Sequence, residues 1–178
     1  MKIKYLLLAA ITGCIITADQ ASKMYVHTHF ELHHVVPVIP NFFNLTHVQN
    51  PGAAFGFLRD APELFRNLFF LSMPPIALLI ILAILRGVAE TDRWTTASLS
   101  LVFGGAIGNY IDRLRFRYVI DFIDFTVVWD ASNTSSRWSY PAFNIADIAI
   151  VCGVAILLFL EFTRKQKPSE KEAVMSEA

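Results

Sequence analysis

Five aspartates, Asp19, Asp112, Asp121, Asp124 and Asp147, stand in or beside long apolar stretches of this 178-residue chain. A charged side chain at mid-bilayer costs about 2.5 to 3.5 kcal/mol on the insertion scale, so acids in such places are usually paired or functional. Two carboxyl groups that approach within a few Å do not both ionise; one keeps a proton while the other stays charged, which supplies an acid and a base together. Such a pair titrates as a unit. It can activate one water against an amide carbonyl and protonate the leaving nitrogen without a nucleophilic serine or cysteine. No G-x-S-x-G, H-E-x-x-H or Walker-type glycine loop competes with that chemistry.

The elements that must carry these acids follow from composition. The chain is 54% hydrophobic and only 17% charged, too apolar for an ordinary water-soluble domain. Its 15 basic and 15 acidic residues balance, so nucleic acid is excluded as a partner. Apolar windows at Ile3–Ala18, Leu64–Leu85, Trp94–Ile111 and Pro141–Leu160 each approach the roughly 20 residues that cross a bilayer as a helix. Nothing breaks the first before Lys23. The reading is therefore four spans, at about 3–23, 64–85, 94–111 and 141–160, in one domain over 1–163. Extracytoplasmic stretches cover 24–63 and 112–140, and a disordered tail covers 164–178. Pro74-Pro75 should kink the second span. Eight basic residues against seven, with two lysines before the first span, place both termini in the cytoplasm.

Helix rise turns positions into depths. Asp19 falls about 22 Å beyond Lys4, Asp112 about 27 Å beyond Trp94, and Asp147 about 9 Å below Pro141, taken as the first residue of its span. Successive spans alternate direction, so all three acids reach the outer face, with Asp147 deepest and Asn144 on its helical face. Ion pairing could instead explain Asp19 with Lys23 and Asp112 with Arg113. Asp147, with no basic residue nearby in sequence, favours function. Asp121 and Asp124 are indistinguishable on these grounds.

Other features carry less. Cys14 and Cys152 read as small buried hydrophobes. Ile11-Thr12-Gly13-Cys14 looks like a lipid-attachment box, but three further spans follow it. His27, His29, His33, His34 and His47 match no metal motif and read as a solvated or interfacial surface. Trp94, Trp129 and Trp138 read as interfacial anchors. A proton-coupled transporter would show acids at several depths and a pseudo-repeat, which this chain lacks. A non-catalytic scaffold would bind its partner and release no product.

Five blocks occur in order across nearly the whole chain: Asp19-Gln20-Ala21-Ser22-Lys23, Asn50-Pro51-Gly52-Ala53-Ala54-Phe55, Gly104-Gly105-Ala106-Ile107-Gly108-Asn109-Tyr110-Ile111-Asp112-Arg113, Val119-Ile120-Asp121-Phe122 and Phe143-Asn144-Ile145-Ala146-Asp147. Together they resemble the bacterial lipoprotein signal peptidase (signal peptidase II) family. The resemblance implies an all-α integral membrane protein of four transmembrane helices, with a small β-rich extracytoplasmic platform in the first stretch and Asn50-Pro51-Gly52 as a turn between its extended segments.

It further implies an aspartic endopeptidase of the bacterial inner membrane that removes the signal peptide from diacylglyceryl-modified prolipoproteins just before the lipid-bearing cysteine. By motif, Asp121 and Asp147 correspond to the catalytic pair and Asp124 is a bystander. Asp19, Lys23, Asn50, Asn109, Asp112, Arg113 and Asn144 correspond to a polar surround that holds the pair and the substrate. Phe55-Gly56-Phe57-Leu58 reads as an apolar tip for lipid or acyl chains. No cofactor or metal is required, membrane lipid and the precursor are the partners, and the expected state is a monomer.

Overall fold

The computed structural model describes residues 2–52, 58, 60–128 and 137–165. Four long helices carry a four-stranded antiparallel sheet: α1 (Ile3–His29), α2 (Glu63–Gly87), α3 (Arg93–Phe116) and α4 (Ile145–Lys165), with β1 (Val35–Ile39), β2 (Phe43–Asn50), β3 (Val119–Val128) and β4 (Arg137–Phe143) in the order β1-β2-β3-β4. The expected β-rich platform is present beside the helices as this one sheet. The platform is built from both long inter-helix stretches, 24–63 and 112–140, because β2 pairs with β3 across the helices that separate them in sequence.

Three helices, α1, α2 and α4, are long and apolar enough to cross a membrane. The third predicted span is different: α3 is long enough, but it carries Thr95, Thr96, Ser98 and Ser100, all buried, and Gly104, Gly105 and Gly108. It packs against α1, α2 and α4 at once, so its neighbours shield it from lipid. Three of these hydroxyls are satisfied locally, Ser98 donating to Trp94 O, Ser100 to Thr96 O and Thr96 to Asp92 O, while that of Thr95 accepts from Arg164 of α4 at 3.0 Å. The glycines set the spacing. A Cβ on Gly108 would lie 2.6 Å from Asp19 Oδ2, and one on Gly105 would collide with the carbonyl oxygen of Ala146. Small residues at helix contacts let backbones approach where lipid supplies no hydrophobic drive.

Several boundaries differ from expectation. At 27 residues, about 40 Å, α1 outruns a hydrocarbon core of about 30 Å, and its last turns pack on the sheet through Val26 against Ile120 and Phe122. Cys14 and Cys152 lie exposed on the helix surfaces, not buried. The helix α2 continues through Pro74-Pro75. The fourth helix begins at Ile145; Pro141 lies in β4, whose pairing with β3 extends to Phe143 and holds the preceding residues extended. Asn50 closes β2, and Gly52 N–H donates to its Oδ1 at 3.0 Å, so this bend ends the hairpin that turns instead near Asn41. Phe55 to Phe57 of the apolar tip, Ala53 and Ala54 of the second block, Trp129 and most of the tail lie outside the described residues.

Candidate active site

The start of α4 organises the polar centre. Asn144 precedes the helix, and its Oδ1 accepts from Asp147 N–H at 3.0 Å while its own N–H donates to Asp147 Oδ2 at 3.3 Å. This is a reciprocal capping box, Asn-x-x-Asp. Asp147 thus occupies the first turn of α4 and is not deep within a span; Asn144 is its cap, not a neighbour on the helix face. The capping position fixes the Asp147 carboxyl at the positive end of the helix dipole.

The same asparagine reaches the second acid. Asn144 Nδ2 donates to Asp121 Oδ1 at 2.7 Å, and Asn50 Nδ2 donates to Asp121 Oδ2 at 3.0 Å. Asn109, from α3, donates to Asp147 Oδ1 at 2.8 Å and accepts from Asn144 at 3.1 Å. Strand, helix and helix start, 26 residues apart at the two acids, therefore meet on one amide side chain. Asp121 and Asp147 are held by amide and main-chain donors.

Burial and, secondly, the charge of Asp147 push the Asp121 carboxyl up from 3.8 to about 7, against the opposing hydrogen bonds of Asn50 and Asn144. A carboxyl in that range holds its proton through the acidic range and gives it up only near neutrality.

Immediately beside this pair lies a closed ionic cluster. Lys23 Nζ sits 2.8 Å from Asp19 Oδ2 and 3.0 Å from Asp112 Oδ2, with all three side chains at most 1% exposed. Gln20 donates to Asp112 Oδ1 at 2.9 Å and to Asp19 Oδ2 at 3.2 Å. Asp19 Oδ1 accepts from Ala146 N–H at 2.9 Å, capping α4 from α1, and Asp112 Oδ2 accepts from Ile120 N–H at 3.1 Å, holding the start of β3. The ion-pair reading holds for Asp19, and for Asp112 with a different partner: Lys23, not Arg113. Lys23 also donates to Asn109 Oδ1 at 2.8 Å, which joins the two clusters.

Arg113 donates to Asn109 O at 3.2 Å and Gly52 O at 3.0 Å, and its charge reaches Asp147, Asp121 and Asp112. Asp124 stands apart, held by Asn44 at 2.7 Å, Thr126 at 2.9 Å and Ser139 at 3.1 Å. The acid pair and its expected polar surround, Asp19, Lys23, Asn50, Asn109, Asp112, Arg113 and Asn144, thus belong to one connected network, and Asp124 does not. Gln20, the bridge between Asp19 and Asp112, had only its polarity within an apolar run as a signal. The helix-starting amides of Ala146 and Asp147 had none, because main-chain donors carry no residue identity. Among the histidines, His47 is buried and not solvated: its Nδ1–H donates to Phe30 O at 3.0 Å and its Nε2 faces His27 Nδ1 at 3.5 Å. Among the described residues no group of three or more His, Cys, Asp or Glu side chains converges as a metal site.

Fold and site together define a membrane protein whose helix bundle holds two hydrogen-bonded acids at one end. Residues 11–163 match the family model described as signal peptidase (SPase) II, and the chain belongs to that family of aspartic proteases. It is 46% identical to the lipoprotein signal peptidase of Syntrophus aciditrophicus, covering 94% of this chain and 98% of the relative. It is 42% identical to that of Desulforapulum autotrophicum, over 85% and 89%. The fold matches a solved bacterial membrane enzyme, determined by the in meso method at 2.3 Å, with a TM-score of 0.74 and 30% identity over 92% and 93% of the two chains.

Proposed function

We propose that residues 1–163 form one intramembrane aspartic endopeptidase domain that cleaves diacylglyceryl-modified prolipoproteins just before the lipid-bearing cysteine, with Asp121 and Asp147 as the catalytic pair. The observation that carries this reading is Asn144, whose side-chain amide and main-chain N–H hold one carboxyl each. Four helices span the inner membrane in this reading, α3 included, with both termini cytoplasmic and the acids near the outer leaflet. The protein acts as a monomer, with the precursor and membrane lipid as its partners. Its relatives' name, lipoprotein signal peptidase, supports the substrate class.

In the mechanism, Asp121 holds the shared proton and Asp147 is the base. A water between them attacks the scissile carbonyl carbon and gives its proton to Asp147, while Asp121 protonates the carbonyl oxygen. Collapse of the resulting gem-diol breaks the C–N bond, with the proton on Asp147 passing to the leaving nitrogen and Asp121 recovering its own from the hydroxyl. Asn109 and Asn144 keep both carboxyls in register throughout. Asn50 and Arg113 add donors and positive charge on the side that faces the sheet. Asp19, Lys23 and Asp112 fix α1, α3 and the start of α4 beneath the pair and orient the substrate only through it.

The test incubates the purified protein with a diacylglyceryl-modified precursor and with an unmodified one and looks for a released signal peptide. Release from the modified precursor alone, lost in Asp121→Asn and Asp147→Asn, is the expected result. Binding without release would leave a scaffold, and full turnover by either variant would remove the assignment.

A further inference from the structure

Proline at position 75 lacks an N–H, so the carbonyl of Leu71, four residues earlier, loses the partner an ordinary helix would give it. Within a membrane such a carbonyl needs another donor. The structure supplies one from a neighbouring helix: Tyr110 Oη, on α3, donates to Leu71 O at 3.2 Å. Tyr110 follows Asn109, which bonds Asp147, and lies three residues before Arg113. Arg113 in turn stacks its guanidinium 4.7 Å above the ring of Phe70, the residue before Leu71. Adjacent residues of α2 are thus held by two α3 side chains that flank the acid pair. These are telling contacts because α2 packs mainly on α3 and is largely exposed elsewhere.

We infer that Tyr110 is a positioning residue: its hydroxyl replaces the N–H that Pro75 lacks, latching α2 to α3 so that Phe70 supports Arg113 beside Asp121 and Asp147. The inference rests on the proposed acid pair for its catalytic consequence, but the latch itself does not depend on that pair.

The replacement logic gives a rescue test. Tyr110→Phe keeps the ring and removes the donor. Loss of one hydrogen bond between membrane helices corresponds to about a threefold to tenfold effect, expected in kcat/KM for the modified precursor together with a lowered thermal midpoint in detergent. Pro75→Ala restores a main-chain N–H to Leu71 O, so in that background Tyr110→Phe should cost no more than about twofold in either measurement. Pro75→Leu is an equivalent donor-restoring variant should the alanine form not fold. Pro74→Ala restores a donor to Phe70 O instead and must not rescue. An unchanged cost of Tyr110→Phe in both Pro75 backgrounds, or equal rescue by Pro74→Ala, overturns the latch. Rescue seen in the thermal midpoint with cleavage unaffected throughout overturns the positioning role. Failure of the acid-pair reading shows separately, as turnover by Asp121→Asn.

Discussion

The ionic cluster of Asp19, Lys23 and Asp112 and the acid pair of Asp121 and Asp147 lie side by side, linked by Asn109, yet they treat the same residue type in opposite ways. The first gives its two carboxylates a lysine at 2.8 and 3.0 Å and main-chain donors as well. A buried charge is tolerated when so paired and hydrogen-bonded. The second offers amide donors, with the nearest cations, Lys23 and Arg113, engaged with other groups. Under those terms burial and mutual repulsion drive a proton back on to Asp121. The lesson is that the cation's position, not the presence of acids in the membrane, separates scaffold from chemistry.

The contrast breaks most visibly at the acid pair. Asp121→Asn and Asp147→Asn should each lower kcat by at least about a thousandfold with little change in circular dichroism, since the amide keeps the shape and removes the proton transfer. Lys23→Met should do the reverse, acting on stability first. It leaves two buried carboxylates without their cation, at a cost of about 3–5 kcal/mol, and the variant should lose its thermal transition or fail to accumulate. A Lys23→Met protein as stable as the parent would show that the cluster is not ionic.

Titration sharpens the comparison. The Asp121 carboxyl titrates at about 7 in the fold against 3.8 in the unfolded chain, so between those values the folded state holds a proton that the unfolded chain has lost. Its contribution favours the fold most at low pH, declines as pH rises toward 7, and is flat above. Asp121→Asn should remove that slope, read from unfolding in detergent across pH. Cleavage by the parent should fall about tenfold per pH unit above 7, as the pair loses its proton.

Smaller effects follow from the packing around the two clusters. Gly105→Ala pushes a methyl into the Ala146 carbonyl, one residue from Asp147, and should cost about 1–3 kcal/mol with a larger loss of cleavage than the parallel change at Gly13, which faces open space. Asp124→Asn, on a carboxyl held by Asn44, Thr126 and Ser139, should leave cleavage within about twofold.

What the sequence determined by itself was the membrane setting and the acids' common end of the bundle, because apolar run length and helix rise are local quantities. The five blocks added the choice of Asp121 over Asp124, which composition and spacing could not make. Tertiary structure alone decided three things. It moved the start of α4 from Pro141 to Ile145, since pairing of β4 with β3 outweighs the proline's preference for a first helical turn. It gave Asp112 to Lys23, not to adjacent Arg113, because residues next to each other on a helix point apart while α1 and α3 meet face to face. And it made a polar helix the centre of the bundle: whether Thr95, Ser98 and Gly105 meet lipid or protein depends on neighbours distant in the chain, which no window along it can register.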